Sequence, residues 1–405
     1  MNTANAPTSD NELGLDPAAQ RAALIAILMV VFIDILGFTV VIPLLPFYAE
    51  HLGASPLVVG SLTAVYGLCQ FLAGPLLGVL SDRVGRKPVL ILSQIGTLIG
   101  FIILALAPNL MWLFIGRIID GLTAGNISVA QAFVADIAGP RNRTKAFGYF
   151  GAVFGLGFIA GPALSSFLAH ISLTAPLWAA AGLSALTITM NIIVIPGGSK
   201  MRRKSESVEP RTSKIQMLKN LNRPLLPFLC FALAFVTFMA GLALFAERGL
   251  KWNGKPFGAS QVGGVLTYAG ALGFVIQAVF LTRLNRRFGE KKLILFGFLS
   301  MALGYALIEP GQNAFLFLVF FTLGSLGSSL LRPALTSLTS QLASPREQGL
   351  ALGTAQSLQS VSQAVAPLLA GELIENNMLK IWALVCAFFA FCGFLLARRI
   401  PVVKK

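Results

Sequence analysis

The chain has 405 residues, of which 56% are hydrophobic and only 12% charged, where an ordinary soluble domain carries roughly a quarter charged. Its net charge of +15 is spread over separated loops instead of one patch, which argues against a nucleic-acid surface. Apolar runs long enough to cross a ~30 Å hydrocarbon core recur from one end to the other, so a soluble fold is excluded and an all-α membrane fold is expected.

Residues 1–21 read as a disordered cytoplasmic tail, because Asp10, Glu12 and Asp16 precede any basic residue, whereas a secretory leader starts basic. Twelve spans are predicted: 22–47, 57–80, 89–107, 110–137, 147–169, 175–195, 225–246, 262–281, 293–308, 314–337, 350–373 and 378–396. They group into a six-helix bundle at 22–196, a basic cytoplasmic linker at 197–223, a second six-helix bundle at 224–397 and a tail at 398–405. Of the 31 Lys and Arg residues, 25 fall on the side that carries both tails and the linker. Arg248, Lys251, Lys255 and Lys380 fall on the other, and Arg117 and Arg332 lie inside spans. That bias predicts both termini in the cytoplasm of a plasma (inner) membrane protein. Trp112, Trp178, Trp252 and Trp382 sit near the opposite span ends and read as an interfacial belt. An internal repeat supports the two bundles: Pro140-Arg141, Gly148 and Gly161-Pro162 recur 205 residues later as Pro345-Arg346, Gly353 and Ala366-Pro367.

In the first span Asp34 lies about twelve residues in, ~18 Å along the helix and near mid-membrane. An acid there costs roughly 2.5–3.5 kcal/mol on insertion scales, so it needs a proton, a partner or water, and functional use is the default reading. Pro43 and Pro46 are expected to break that helix near its outer end. Tyr66 and Gln70 in the second span are candidates for lining a central cavity. The turn Gly78-Val79-Leu80-Ser81-Asp82-Arg83-Val84-Gly85-Arg86-Lys87-Pro88 places Asp82, Arg83, Arg86 and Lys87 together between two apolar spans, with Gly85 permitting a tight reversal. In the fourth span Arg117 and Asp120 share a helical face, followed by Gly121 and Gly125, whose missing side chains let another backbone come close. Asp120 is the local partner of Arg117 and Asp34 the long-range one; a closed structural pair is the competing reading. Asn126 and Gln131 add to the possible lining, and Asp136, at the inner end, is a candidate partner for Arg83 or Arg86. Gly151, Gly155, Gly157 and Gly161-Pro162 give the fifth span a smooth face and a soft kink. Arg332 stands in the tenth span, and Gln356, Gln359, Ser360 and Gln363 share one face of the eleventh.

The turn from Gly78 to Pro88 resembles the signature between helices 2 and 3 of the major facilitator superfamily. Asp34 with Pro43 and Pro46, the run Gly116-Arg117-Ile118-Ile119, Val134-Ala135-Asp136-Ile137 and the stretch Phe150-Gly151 to Gly161-Pro162 look like the tetracycline-exporter branch of its drug/H⁺ antiporters. The resemblance implies twelve helices in two pseudo-symmetric halves. It implies a cytoplasmic gate at Gly78, Asp82, Arg83, Gly85, Arg86, Lys87 and Asp136, with Asp82 meeting the start of helix 11. It also implies an antiporter motif at Gly157, Gly161 and Pro162, and proton and substrate coupling through Asp34, Arg117 and Asp120. The likeness departs in two places: Gly100 and Met301 stand where those exporters carry further membrane acids, and Asp120 is extra.

The expected activity is export of a small amphipathic or cationic compound in exchange for protons by alternating access. Uptake of a polar or anionic metabolite, with Arg117 and Arg332 holding an anion, is the alternative. A non-transporting receptor or scaffold on the same fold is a second alternative. The expected partners are a small-molecule substrate, protons and the lipid bilayer, with a monomer as the working unit and no nucleic acid. No cofactor and no metal are expected: the four cysteines show no metal spacing, the only histidines are His51 and His170, and no nucleotide loop occurs, so an enzyme is not expected.

Overall fold

The computed structural model describes residues 17–124, 126–194, 214–342 and 348–400. The first half contains α1 (Pro17–His51), α2 (Pro56–Val84), α3 (Arg86–Ala105), α4 (Leu110–Thr123), α5 (Asn126–Leu168) and α6 (Ala175–Val194). The second contains α7 (Lys214–Gly249), a two-stranded ribbon of β1 (Lys251–Trp252) and β2 (Lys255–Pro256), and α8 (Ala259–Val275). A π-helical turn (Ile276–Phe280) then leads to α9 (Leu281–Phe288), α10 (Glu290–Ala306), α11 (Ala314–Leu342), α12 (Gln348–Glu375) and α13 (Leu379–Arg398). Among the described residues nine helices are long and apolar enough to cross a membrane. The fourth, ninth and eleventh predicted spans map to α4 with the first turns of α5, to α10 and to α12. The first two of these are short because α4 and α10 have only 14 and 17 residues, against the ~20 a straight crossing takes.

Two expectations are redrawn. The helix of the fourth span breaks at Ala124 (φ −73°, ψ 48°), ahead of Gly125, and not in the predicted loop near 138–146. Helical turns then continue through Asn126–Leu168, 43 residues or ~65 Å if straight. Val129, Phe133 and Val134 share one buried cluster with Ala146, Phe150 and residues of α1 between Ala23 and Ile35. Likewise α1 does not break at Pro43 or Pro46 but runs on to His51. Its neighbours bury it on most sides, and a packed helix tolerates a missing backbone bond better than a solvated one.

The repeat is visible in backbone geometry. Gly85 (φ 101°, ψ 158°) joins α2 to α3, and Gly289 (φ 77°, ψ 156°) joins α9 to α10 in the same left-handed reversal, each N–H closing on a carbonyl four residues earlier. Only glycine adopts that φ without strain.

The halves meet along α2 against α12 and α5 against α8. A Cβ on Gly371 of α12 would come within 2.6 Å of the Pro56 carbonyl of α2, and one on Gly270 of α8 within 2.8 Å of the Phe158 carbonyl of α5. These are small-residue seams of the kind that packs helices without a hydrophobic drive. At the weakly charged end a single apolar core runs through both halves, from Leu44 and Tyr48 to Phe245 and Phe317. At the basic end the first half keeps a core of its own. Polar ties across the halves gather at the weakly charged end: Arg248 on α7 pairs with Glu50 on α1, Ser166 donates to the Ser260 carbonyl at 2.7 Å, and the His170 ring bonds the Ser260 hydroxyl. These contacts tie the two halves together at that end.

Glu375, the last residue of α12, completes the seal. Its Oε2 accepts from Ser55 Oγ at 2.7 Å and from the Leu57 N–H at 2.9 Å. Ser55 is the N-cap of α2 but makes no side-chain cap itself, so a carboxylate from the other half does that work. Both bonds favour the ionised form and hold the Glu375 carboxyl below the usual glutamate value. The sign follows: the bridge contributes in full above the ordinary value of about 4.3 and is lost as pH falls through the lowered one. Glu375→Gln is therefore expected to loosen the seal at neutral pH, and acid to do so only well below pH 4.3. Thermal unfolding of the unaltered protein and of Glu375→Gln at pH 7 and pH 3 checks this; a difference between the two proteins that does not shrink on acidification would remove Glu375 from the seal.

One aromatic reading is corrected. Trp112, Trp178 and Trp252 are exposed at span ends, but Trp382 is fully buried, with its indole N–H given to the Thr237 carbonyl at 3.1 Å. It stacks with Phe238 and Phe245 as part of a packed ladder, so it anchors the second half from inside instead of at the interface.

Candidate transport site

The charged pair of the fourth span is real and closed. Arg117 and Asp120 are both buried, and Arg117 Nη1 lies 3.3 Å from Asp120 Oδ2. The guanidinium also sits 4.0 Å from the centroid of the Tyr66 ring, and Thr97 hydrogen-bonds the Asp120 carboxylate. Tyr66 packs in turn on Phe38, centroids 5.8 Å apart, one turn beyond Asp34 on α1. Asp34 is half-buried, and the Tyr66 hydroxyl stands within electrostatic reach of Asp34, Arg117 and Asp120. Tyr66 was expected to line a cavity. It is instead buried, with the Arg117 guanidinium over its ring. Gln70 follows it, its Nε2 3.5 Å from the Tyr66 hydroxyl.

The fifth-span motif supports the same region from behind. A Cβ on Gly157 would meet Ile35 at 2.7 Å, and one on Gly161 would meet the Leu36 carbonyl at 2.7 Å. The Thr39 hydroxyl donates to the Gly157 carbonyl at 3.0 Å. So α5 lies against the turn of α1 that carries Asp34, while the Pro162 carbonyl faces Gly263 of α8 in the other half.

Sequence reasoning missed Thr97 and misjudged Gly100. A Cβ on Gly100 would lie 3.0 Å from the Asp120 Cβ. The glycine on the third helix thus leaves room for the acid on the fourth. The signal lay in the paired departure, Gly100 with an extra Asp120.

The eleventh-span amides share one helical face but differ in burial: Gln356 is exposed, Gln359 and Ser360 are buried, and Gln363 is half-buried with its backbone and Cβ against Gly67 of α2. Gln131 and Arg332 are exposed, and the Arg332 guanidinium lies 5.2 Å from the Phe154 ring centroid. The side chains of Asn126 and Asp136 lie outside the described residues.

In the basic turn Asp82 pairs with Arg86 at 2.6 Å, Arg86 also donates to Ser81 Oγ, and Lys87 Nζ donates to the Ile192 carbonyl in the last turns of α6. Arg83 is exposed, and no heavy atom lies within 4 Å of where a Gly78 Cβ would stand. The expected meeting of Asp82 with the start of α12 falls on a region where residues 343–347 lie outside the described residues. In the second half Glu290 accepts from Ser337 Oγ and Gln341 Nε2, each at 2.8 Å.

Breaking the buried pair tests its weight. Arg117→Ala leaves Asp120 without its cation and is expected to cost about 3–5 kcal/mol of stability; Arg117→Ala with Asp120→Ala is expected to cost less than the single change. Thermal unfolding of the purified proteins decides it, and a double variant as damaged as the sum of the singles would mean that the two groups do not act as a pair.

These features define a multi-pass helical membrane protein with a closed charged pair buried in its first half. The sequence profile of the Major Facilitator Superfamily matches residues 27–286 and 254–405. The class C tetracycline resistance protein of Escherichia coli is 33% identical over 364 residues, covering 86% of this chain and 88% of that protein. The quinolone resistance protein NorA of Staphylococcus aureus is 27% identical, covering 86% and 89%. Among solved structures, the human organic anion transporter MFSD10 (TETRAN) superposes with a TM-score of 0.70 at 22% identity, covering 95% of this chain and all of that one; the nucleoside transporter NupG gives 0.72 at 15%, covering 93% and 97%. The chain belongs to the major facilitator superfamily, and it is a transporter, not an enzyme.

Proposed function

We propose that this protein is a secondary active exporter that moves a small amphipathic or cationic compound out of the cell in exchange for protons. Its relatives include tetracycline and quinolone resistance proteins, which supports export over uptake or a non-transporting role. The observation that carries the reading is Asp34: an acid within the membrane-spanning part of α1, half-buried, one turn from Phe38, which packs on the Tyr66 ring under the closed Arg117–Asp120 pair, and braced by the Gly157–Gly161 face. A carboxylate so placed holds a proton or a cargo group in turn. Competition between the two is the least machinery that couples their flows.

In this reading the basic end is cytoplasmic, so the described state is open inward and sealed outward, and the protein works as a monomer in the bacterial inner membrane. Gly78, Asp82, Arg83, Gly85, Arg86, Lys87 and Asp136 form the inner gate. The Glu290–Gln341 bond supports a matching Arg86–Asp136 pair, since Gln341 stands 205 residues after Asp136 and Glu290 204 after Arg86. The activity needs no nucleotide or other cofactor. The test is purified protein in liposomes under an imposed pH gradient, with cationic, neutral and anionic solutes supplied in turn. Accumulation in acid-interior vesicles supports exchange; transport indifferent to the gradient would leave a uniporter.

A further inference from the structure

Two carboxyl groups meet where the halves are tied together. Glu50 stands in the last turn of α1, and Glu247 and Arg248 stand in the last turn of α7. Arg248 pairs with Glu50, and its Nη1 lies 3.6 Å from Glu247 Oε2. The Glu247 side chain also hydrogen-bonds that of Glu50, across the seam between the halves. Two ionised carboxylates are acceptors only, so that bond requires a proton on one of them. Charge balance agrees. One guanidinium matches one carboxylate, and a second negative charge at hydrogen-bond distance would be repelled. The cluster is therefore neutral with one proton and carries one negative charge without it.

Its surroundings give the proton a way out. Both acids are half-buried, and Arg248 is exposed. Glu247 and Arg248 line a cavity of about 470 Å³ at this end of the molecule, walled also by Lys251 and Gln312. A 2.7 Å bond from the Gly311 N–H to the Gly249 carbonyl fixes the loop before α11 against the end of α7. Of the other charged groups here, Lys251 lines the cavity from the ribbon and His51, next to Glu50 on α1, is exposed. Glu309 pairs with Lys380 at 2.6 Å, and Glu375 is taken up by Ser55 and Leu57. Asp34 is sixteen residues back along α1, ~24 Å away. We propose that Glu50 and Glu247 form a second proton site, set in the seam between the halves and apart from Asp34: one proton shared between them beside Arg248 holds the halves together, and its release to the cavity lets them part. The joined state then binds one proton more than the parted one, where each acid is hydrated and ionised above about pH 4.3. Joining is therefore favoured in acid and weakens as pH rises. The exporter reading enters only in placing this site on the outer face.

The test is double electron–electron resonance on the full chain in lipid nanodiscs. Nitroxide labels go on Met111→Cys of α4 and Ile381→Cys of α13, both exposed at this end, in a background without Cys69, Cys230, Cys386 and Cys392. From about pH 5 to about pH 9 the ratio of parted to joined distances is expected to rise by up to about tenfold per pH unit, the limit for one proton. Glu247→Gln keeps a donor toward Glu50 but has nothing to titrate, so its distances stay short throughout. Glu50→Gln removes the second acid from the other half and loses the pH response as well. Asp34→Asn and Glu375→Gln keep it. A ratio that does not change with pH in the unaltered protein, a response that survives in either Glu247→Gln or Glu50→Gln, or one that is lost in Asp34→Asn would overturn the site. No cargo and no gradient enter the measurement, so it stands or falls separately from proton-driven exchange in liposomes.

Discussion

Asp34→Asn is expected to reduce proton-driven transport by about two orders of magnitude while the protein stays folded in the membrane, the scale of loss when a positioned titrating group has no substitute. Asparagine preserves size and hydrogen bonding but cannot bind and release a proton. Substrate should still cross down its own gradient, so counterflow exchange between loaded vesicles should persist when pH-driven accumulation is gone. The gradient sets what can be seen. One pH unit is worth about 1.4 kcal/mol per proton, so one-for-one exchange sustains roughly a tenfold concentration ratio. A ratio that stays near one in Asp34→Asn, with counterflow intact, identifies Asp34 as the coupling group.

Asp120 is the rival. It is more deeply buried than Asp34, and its carboxylate is already engaged by Arg117 and Thr97. A group with two polar partners has less reason to exchange its proton in each cycle, so Asp120→Asn should weaken transport through lost packing and leave the dependence on the gradient unchanged. If Asp120→Asn uncouples transport and Asp34→Asn does not, the roles are reversed.

Much of this architecture was legible because the bilayer imposes it. Apolar length marks the helices, and the repeat of Pro140-Arg141 and Gly148 at Pro345-Arg346 and Gly353 marks the two halves. The misreadings have local causes. Pro43 and Pro46 would end a solvated helix, but inside a bundle α1 continues through them. Trp382 has the sequence position of an interfacial residue, yet Thr237 supplies the one hydrogen bond that lets it be buried. In the site, residue type disclosed Asp34, Arg117 and Asp120, since charge at membrane depth is rare enough to stand out. The place of Tyr66 beneath Arg117, and of Gly100 as room for Asp120, depends on which helix faces which, and no single segment records that.

The seal between α2 and α12 gives the second large effect. Gly371→Val places a Cβ 2.6 Å from the Pro56 carbonyl and 2.9 Å from the Leu57 Cα, both backbone atoms that cannot turn aside. Overpacking of this kind costs about 1–3 kcal/mol. The halves can escape it by parting at this end, which in the proposed orientation is the motion that opens the transporter outward. The variant is therefore expected to stay folded and to favour the outward-open state by roughly five- to 150-fold. A Ser260→Cys reporter on the α5–α8 seam, in a background without Cys69, Cys230, Cys386 and Cys392, should then react at least about tenfold faster with an impermeant maleimide added from outside. Gly182→Val is the control, because no atom lies within 4 Å of its Cβ position. An unchanged labelling rate in folded Gly371→Val would mean that the seam yields by local adjustment, and that closure at this end is held by the Glu375 and Arg248 bridges instead of by helix contact.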